Sequence, residues 1–308
     1  MPELPEVETV VRELYKKLQG RTIKSVEVRA AKLIGIGPAG LGNKRQGVDE
    51  KAREFEKLLW GQKVISVKRR AKLLLFNLTG PYTLLVHLKM TGQFIFEDAA
   101  LRQKTSSKYR ILNKLTAPLV QLPGKHTHVI FQFTDGATLY FNDVRKFAYL
   151  KLVRTDELLQ VTELNEYGPE PLSQEFNLLL FLTAVKKRYK VSIKQVLMDN
   201  RVVVGIGNIY SDEILFQAKV RPDRPVGSLN KKELQDVYGA IRPVLLQGIK
   251  AKGSSVGDFV RTDGKWGSMG KFHYVYGRKG QLCKLCGTLI QSTKLGGRTS
   301  SFCNKCQK

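Results

Sequence analysis

The chain lacks three features that would each point to a particular cellular setting. Its apolar stretches fall well short of the ~18 residues that a membrane-spanning helix needs. No charged-then-apolar leader precedes the first helical segment. No cysteine occurs before residue 283, so no disulfide is available outside the last 26 residues. We therefore expect a protein of a reducing cytosol that is not exported and has no membrane span.

Acidic residues are also scarce. The chain has 52 Lys and Arg against 27 Asp and Glu, which gives a formal net charge of +25. Such an excess favours a polyanionic partner, and nucleic acid is a better candidate than a ribosome surface or acidic lipid. The alternative is a basic surface that is merely solvated.

The apolar pattern changes from helix to strand and back to helix along the 308 residues. Helical spacing over 7–18 predicts a first helix with one apolar stripe. Runs rich in Val, Ile, Leu, Phe and Tyr then predict strands over 22–29, 63–78, 82–96, 128–133 and 138–153, with a helix around 50–59 and a hairpin turn at 135–136. Beyond the Pro- and Gly-containing segment 167–171, the pattern predicts helices over 173–188, 192–199, 208–219 and 231–252.

This order predicts an α+β protein. Its N-terminal part is a β-sandwich, or a flattened barrel, flanked by helices, and its C-terminal part is helical. We place the first domain at 1–155, a linker at 156–170, the helical domain at 171–272 and a small cysteine-containing hairpin at 273–308. A long polar and basic insert occupies 97–125, and a tolerated surface loop is its simplest interpretation.

The four cysteines have the spacing of a metal site. Cys283 and Cys286 are separated by two residues, as are Cys303 and Cys306, with sixteen residues between the pairs. Paired thiolates at this spacing converge on one tetrahedral Zn²⁺, and four protein ligands leave no position for a reactive water. We predict one structural zinc ion, with an iron–sulfur centre or chance spacing as the alternatives. Between the pairs, Arg298 makes the hairpin tip basic and suited to phosphate.

The N-terminus offers a nucleophile. Removal of Met1 would expose the secondary amine of Pro2, followed at once by the carboxylate of Glu3. Such an amine is less basic than lysine and can form an iminium with a sugar aldehyde carbon. The alternative is an ordinary Pro-Glu entry into the first helix.

Several other residues are candidates for contact with a nucleic acid. Gly205 and Gly207 precede Asn208 at a predicted helix start, an arrangement that suits phosphate, although a plain corner between helices has the same pattern. The charge run 68–72 ends in Lys72 beside an apolar strand. Met90 follows another strand run and is more often a core residue. His126 and His128 share a strand face, where structural hydrogen bonds are a better interpretation than a metal site.

Arg145 and Phe147 are two residues apart. We expect them on one face of an extended segment, where they form an Arg and an apolar wedge. Such a pair fits the gap that a base leaves when it is turned out of a duplex.

Together these motifs resemble the bacterial formamidopyrimidine-DNA glycosylase family, nearly from end to end. The similar segments are the Pro-Glu-Leu-Pro-Glu-Val-Glu opening, Arg70-Ala71-Lys72, His87-Leu88-x-Met90, 143–147, 205–210, 275–278 and the cysteine hairpin with Arg298. The resemblance implies a β-sandwich followed by a helix-two-turn-helix domain with a zinc finger, and DNA in the cleft between the two lobes. It also implies a monomeric, cytoplasmic, nucleoid-associated bacterial enzyme of base excision repair that acts on double-stranded DNA with oxidised bases or abasic sites.

The resemblance further implies roles for individual residues. Pro2 attacks C1′ of the damaged nucleotide and Glu3 assists ring opening, while the 3′- and 5′-phosphates are eliminated in turn. The residues that hold the flanking phosphates are Lys72, Asn208 and Arg298, and those that fill the vacated space are Met90, Arg145 and Phe147. His87 is a further DNA-binding candidate, and Glu6 a candidate for contact with the lesion. The segment 253–272, with Trp266 and Met269 unassigned, resembles the loop that closes over the extruded base.

Two rival interpretations stay open. One is the sister endonuclease VIII type, which prefers oxidised pyrimidines; Leu4 and the Met90, Arg145 and Phe147 set favour the purine-lesion branch. The other is a non-catalytic zinc-ribbon protein that binds DNA through its charge alone and has no need of a free Pro2.

Overall fold

A computed structural model describes residues 1–39, 47–99 and 122–308. The predicted insert 97–125 therefore lies largely outside the described residues. The described chain divides into two units. Unit 1 comprises residues 1–2, 6–165 and 252–267, and unit 2 comprises residues 3–5, 166–251 and 268–308. Among the helices of the described ranges, none has both the length and the apolar character needed to cross a bilayer.

Unit 1 contains two β-sheets, which confirms the predicted sandwich. Its elements are α1 (Leu4–Leu18, whose first two residues belong to unit 2), β1 (Ile23–Val28), β2 (Ile34–Ile36), α2 (Val48–Leu59), β3 (Val64–Arg70), β4 (Leu73–Leu78), β5 (Tyr82–His87), β6 (Gly92–Glu97), β7 (Thr127–Phe133), β8 (Thr138–Asp143), β9 (Tyr149–Arg154) and the short α3 (Thr162–Asn165). One sheet has the order β1-β7-β8-β6 and the other the order β2-β9-β5-β4-β3. Only the β2–β9 pairing is parallel among the strand pairs that the structure describes.

The core of unit 1 lies where the apolar faces of both sheets meet helices α1 and α2. Val7, Val10 and Leu14 form the buried stripe of α1, and Phe94 and Phe141 pack together from neighbouring strands with their ring centroids 5.1 Å apart. Helix α1 shows the predicted spacing because residues three and four apart share one helical face. The predicted turn at 135–136 is confirmed, since it joins the antiparallel strands β7 and β8.

Three predicted strand runs each divide into two strands. The runs 63–78, 82–96 and 138–153 are interrupted at Ala71, Lys89 and Lys146, which have φ of 54°, 48° and 56°. Non-glycine residues seldom adopt this left-handed conformation, which turns the chain sharply. The first break makes a hairpin within one sheet, and the other two send the chain from one sheet to the other. The expectation that 145–147 is extended is therefore wrong, because these residues lie in a bend.

Unit 2 is helical and ends in a two-stranded hairpin. Its elements are α4 (Leu178–Lys186), α5 (Ile193–Leu197), α6 (Asn208–Gln217), α7 (Lys231–Lys250), β10 (Gln291–Leu295) and β11 (Arg298–Phe302). The predicted helix 173–188 begins later because Asn177 caps it: its Oδ1 accepts the N–H of Leu180 at 2.9 Å. Asn230 and Glu233 form a reciprocal capping box at the start of α7.

Helix α6 is buried on nearly all sides. Residues 209–216 are buried, and Tyr210, Ile214 and Leu215 belong to the core of unit 2. Gly248 of α7 lets the two helices approach, because a Cβ there would lie 2.6 Å from the Tyr210 ring. A buried helix also leaves no solvent for its polar side chains, so these must find partners within the protein.

Candidate active site and zinc site

In unit 2 the carboxylate of Glu3 lies on the first turn of helix α6. Its Oε2 accepts the N–H of Gly207 at 2.8 Å and that of Tyr210 at 3.3 Å, and its Oε1 accepts the N–H of Ile209 at 2.8 Å. The side chain is 2% exposed. The free N–H groups of a helix start attract an anion, so this geometry fixes an acidic group directly after Pro2.

Two glycines make room for this arrangement. A Cβ at position 207 would lie 2.4 Å from Cδ of Glu3, so no larger residue fits there without displacing the carboxylate. Gly205 has φ +85°, and its carbonyl accepts the N–H of Leu4 at 3.0 Å. The Gly-x-Gly pattern therefore serves a close approach of two chain segments, which is a use of glycine that sequence alone does not distinguish from a turn.

Asn208 follows Gly207 directly and is the first residue of α6. Its Oδ1 is buried and has no hydrogen-bond partner in the described parts of the chain. The side chain therefore lies at the same helix start as Glu3. A primary amide in this position has N–H donors suited to a phosphate oxygen.

A buried ion pair connects helices α5 and α6. Lys194 Nζ lies 2.5 Å from Asp212 Oδ1, and neither side chain is exposed. Asp212 also accepts hydrogen bonds from Ser300 Oγ at 2.7 Å and from the N–H of Ser301 at 2.9 Å. The pair thereby joins the helices to strand β11 of the C-terminal hairpin.

The charge environment of Lys194 includes groups of the candidate site. Burial lowers the pKa of Lys194, while the nearby carboxylates of Asp212 and Glu3 act in the opposite direction. Burial likewise raises the pKa of Asp212, and the Lys194 ammonium opposes this. Sequence analysis did not single out Lys194. Its signal is only the general rule that a buried acidic residue in an apolar helix needs a cationic partner.

Glu213, the next residue of α6, holds the segment that leads to the zinc site. Its carboxylate accepts the N–H groups of Tyr274, Val275 and Tyr276 at 2.8–3.0 Å. Burial raises the pKa of Glu213, and these three hydrogen bonds oppose the rise. This residue too was missed, because its partners lie more than 60 positions away in the sequence.

The four cysteine sulfurs converge as predicted. All four Sγ atoms lie within 4.8 Å of one another, with 3.9 Å between Cys283 and Cys306 and 3.4 Å between Cys286 and Cys303. Ligands of a tetrahedral zinc ion at about 2.3 Å would be about 3.8 Å apart, so the donor set fits one Zn²⁺. With four thiolates around it, the ion has a structural role.

The tip of the zinc hairpin presents Arg298 to solvent. Strands β10 and β11 are joined by Gly296 and Gly297, both with positive φ, which suits a two-residue turn. Arg298 begins β11, and its guanidinium contacts Met198 Sδ at 3.7 Å. Of the predicted phosphate-binding residues, unit 2 thus contributes Asn208 from a helix start and Arg298 from a hairpin tip.

In unit 1 the other phosphate-binding candidate, Lys72, lies in the turn between β3 and β4. It is 7% exposed and directly follows Ala71, the residue with positive φ. Arg69 supports this turn, since its Nη1 donates to the Ala71 carbonyl at 2.9 Å and its Nε donates to Glu8 at 2.9 Å. Leu73 pairs with His87 across β4 and β5, so Lys72 and His87 lie near each other.

His87 is a neutral side chain at physiological pH. Burial, with the nearby Lys89 and Lys72, lowers its pKa to about 3. Its Nδ1 accepts the N–H of Lys89 at 2.9 Å, so the proton of the neutral ring is on Nε2. The ring therefore offers a hydrogen-bond donor without a charge.

The residues predicted to fill a vacated base position are held in two adjoining bends. The buried carboxylate of Asp143 accepts the Thr91 hydroxyl and the N–H of Arg145, the latter at 3.1 Å. Thr91 follows Met90 directly, so these contacts bring the two bends together. The Arg145 guanidinium lies 4.8 Å from the centre of the Phe147 ring, which is 55% exposed. Sequence analysis missed Asp143 as the residue that joins them.

Three other residues that the sequence singles out are buried, namely Glu6, His128 and Met269. Glu6 is buried, and its Oε1 accepts the N–H of Ser254 at 2.7 Å. His128 Nε2 hydrogen-bonds the Asp143 carbonyl at 2.7 Å, in line with the structural interpretation. Met269 is a core residue of unit 2. The segment 253–272 is divided between the units, with 252–267 in unit 1 and 268 onward in unit 2.

Models of known protein families match three parts of the chain. The formamidopyrimidine-DNA glycosylase N-terminal domain matches residues 1–150, the formamidopyrimidine-DNA glycosylase H2TH domain matches residues 167–260, and a zinc finger found in FPG and IleRS matches residues 280–308. The third match agrees with the cysteine geometry and confirms the predicted zinc site.

Individual relatives match over the whole chain. The formamidopyrimidine-DNA glycosylases of Bacillus licheniformis and Heliobacterium modesticaldum are 40% and 38% identical over 308 residues, which is 100% of both chains in each case. Among solved structures, a complex between Lactococcus lactis Fpg and DNA containing an abasic site has a TM-score of 0.81 at 31% identity over 99% of each chain. A structure of MutM in complex with DNA containing carbocyclic 8-oxo-G has a TM-score of 0.79 at 33% identity over 100% of each. This chain belongs to the formamidopyrimidine-DNA glycosylase family.

Proposed function

We propose that the chain is a bifunctional DNA glycosylase and AP lyase of base excision repair that removes oxidised purines such as 8-oxoguanine and formamidopyrimidines. The observation that carries this function is the Glu3 carboxylate, which three N–H groups of the α6 start hold next to the Pro2 nucleophile. Family membership and the basic charge of the chain support the same conclusion. The damaged DNA duplex is the partner.

The reaction uses the Pro2 nitrogen after removal of Met1. The nitrogen lone pair forms a bond to C1′ and the glycosidic bond breaks. The base leaves with the electron pair of the glycosidic bond and takes up a proton from water. The Glu3 carboxylate takes the proton that the nitrogen loses and gives it to O4′ as the C1′–O4′ bond breaks, and the nitrogen lone pair then forms the iminium. The iminium acidifies C2′–H, so loss of that proton expels the 3′-phosphate and a second elimination expels the 5′-phosphate. Water then hydrolyses the iminium and releases the sugar fragment.

The remaining candidate residues serve substrate binding. Lys72, Asn208 and Arg298 hold phosphates beside the extruded nucleotide, and His87 adds an uncharged donor. Met90, Arg145 and Phe147 fill the vacated position, which offsets part of the few kcal/mol that extrusion costs. This division is supported by the exposed Phe147 ring beside Arg145 and by the position of Asn208 as the first residue of α6.

Glu6 is proposed to act indirectly. Its carboxylate already accepts the N–H of Ser254, so its route to the lesion passes through the segment that begins there. We also propose the domain limits 1–155, 171–272 and 273–308 with a linker at 156–170, and a monomer that acts on DNA in the bacterial cytoplasm and nucleoid. The relatives from Listeria monocytogenes and Bacillus subtilis are bacterial formamidopyrimidine-DNA glycosylases.

Borohydride trapping tests the function. Reduction of the iminium by borohydride should join the protein covalently to duplex DNA containing 8-oxoguanine opposite cytosine. We expect Pro2→Gly to weaken trapping severely and Glu3→Gln to abolish base release, whereas Glu50→Gln, which changes an exposed carboxylate of α2, should retain trapping. Mass spectrometry of the active protein should show that Met1 is absent.

A panel of lesions separates the rivals. Trapping only with oxidised pyrimidines would indicate the endonuclease VIII type of activity. No adduct with any oxidised base, or full activity with Met1 retained, would contradict the mechanism and leave a zinc-ribbon DNA-binding protein as the interpretation.

A further inference from the structure

Residues 252–267, here called the capping segment, are closed at their base by two glycines. A Cβ at position 267 would lie 2.2 Å from the carbonyl oxygen of Gly253, so the backbones at the two ends touch. The N–H of Gly267 also donates to Ser255 Oγ at 2.9 Å. The segment is therefore a closed loop of fixed width at its base.

The first end of the capping segment is attached to helix α1 through Glu6. Besides the hydrogen bond from Ser254 to Glu6, a Cβ at Gly253 would lie 2.9 Å from Cγ of Glu6. Glu6 is the residue already proposed to act on the lesion through this segment. It fixes only the start of the segment.

A second attachment point, at Arg261 and Thr262 within the segment, contacts the same helix two turns further on. Arg261 Nε donates to Glu13 Oε1 at 2.7 Å, and Glu13 Oε2 accepts the N–H of Thr262 at 3.1 Å and its hydroxyl at 2.8 Å. Lys17 Nζ lies 2.8 Å from the same hydroxyl. The Glu13 and Arg261 side chains are 17% and 16% exposed, so solvent screens their attraction only partly.

Other contacts continue this attachment into unit 1. Phe259 and Val260 are buried among core residues, and the Thr262 carbonyl accepts the N–H of Phe96 at 3.0 Å. Between the two attachment points remains an arc of residues 255–258, in which Val256 is 47% exposed. Its length and both its end points are set by α1 and the sheet.

We propose that Glu13 is a positioning residue for base release. By binding both Arg261 and Thr262 it fixes the second attachment point of the capping segment, so that the arc 255–258 has one placement over the base that leaves. Glu13 does not touch the substrate; it acts through Arg261. The inference rests on the proposed glycosylase function and adds a specificity-determining residue to it.

The glutamine substitution tests this role because it keeps the shape of Glu13 and removes its charge. Glu13→Gln leaves Arg261 with the longer contact to Asp263, at 3.4 Å, and weakens both bonds to Thr262. Single-turnover release of 8-oxoguanine should fall by on the order of 10- to 100-fold, as expected when a group over a reacting centre is misplaced by about 1 Å. Cleavage of DNA with a preformed abasic site has no base to cap and should change by less than about two-fold.

Matched variants make the outcome decisive. Arg261→Gln should reproduce the selective loss, and the double variant should be no worse than either single one, because both remove one interaction. Lys232→Gln, which removes a surface ion pair with Asp236 on α7, should leave both rates unchanged. Should Glu13→Gln fail to fold, Arg261→Gln alone decides.

Three results would overturn the proposal. Equal losses on both substrates would indicate a merely structural role for Glu13, and no loss on either would show that the attachment does not matter. A wild-type protein that neither releases the base nor cleaves abasic DNA would instead contradict the proposed function, and the positioning role with it.

Discussion

The two units hold their candidate site residues with contacts of different range. In unit 1 the bends around Lys72, Met90 and Arg145 are set by single residues with positive φ, and the Asp143 carboxylate bonds N–H groups two and five residues away as well as the Thr91 hydroxyl 52 positions away. In unit 2 the Glu3 carboxylate bonds N–H groups more than 200 positions away, and Asp212 bonds residues 88 and 89 positions away. We therefore expect the loss of one contact to lower the free energy of unfolding less in a site built from local bends than in a site built from buried charges whose partners are distant in sequence.

The largest expected effect concerns the buried pair of unit 2. Asp212→Asn leaves the Lys194 charge buried without its carboxylate, and removal of one partner of a buried pair costs about 3–5 kcal/mol. Urea denaturation should show this loss in the free energy of unfolding. Asp236→Asn breaks the exposed pair with Lys232 and should cost less than about 1 kcal/mol. Similar costs for both variants would contradict the idea that unit 2 depends on its buried charges.

A second, smaller effect is a dependence of stability on pH. His273 is buried, its Nε2 has no partner within the described ranges, and burial lowers its pKa to about 4. On acidification the unfolded chain takes up the proton first. The stabilising contribution is therefore fully present above about pH 6.5 and is lost as the pH falls towards 4.

His273→Leu checks the sign of this dependence. Between pH 7.5 and 5 the wild-type protein should lose about 2 kcal/mol more unfolding free energy than this variant. The comparison of two proteins at each pH cancels other titrating groups, including His87 of unit 1, whose pKa is lowered in the same direction. Parallel pH curves for the two proteins would show that His273 does not contribute.

The smallest effect lies in a bend of unit 1. Lys146 is exposed and has φ of 56°, a conformation that glycine adopts without strain. Lys146→Gly should stabilise the protein by about 1 kcal/mol or less, because relief of strain exceeds the entropy that glycine adds to the unfolded chain. The thermal midpoint measures this. A lower midpoint would mean that contacts of the side chain, and not the backbone, hold this bend.

The sequence predicts features that depend on spacing within one segment better than features that depend on other parts of the chain. The stripe of α1, the sandwich and the cysteine site were predictable because each depends on spacing within one segment or on two short motifs. The breaks at Ala71, Lys89 and Lys146 were not, since none of the three is a glycine and strand-like apolar residues resume a few positions beyond each break. Lys72, Met90 and Arg145 were recognised as candidates from the sequence, although their positions in or beside bends were not.

Three of the residues that sequence analysis missed have their partners on another element of the fold. The partner of Lys194 lies 18 positions away on the next helix, those of Glu213 and Glu13 lie 62 and 248 positions away, and a charged residue with such a partner looks like any surface charge in a sequence. Glu6 was recognised as a candidate, but its bond to Ser254 spans 248 positions and was equally invisible. The roles of Glu6 and Glu13 in the reaction stay predictions, and Glu13→Gln tests the second of them.

The close approach of Gly207 to Glu3 limits which residues evolution can accept at position 207. The carboxyl carbon of Glu3 lies where even a methyl group at position 207 would intrude, so a change to alanine would displace the acid without altering it. We expect selection against a substitution at position 207 to be as strong as selection against a substitution of Glu3, although the glycine carries no reactive group. The position therefore serves as a marker in genome searches: a chain that keeps the Pro-Glu start but has a side chain at this glycine has given up this placement of the acid.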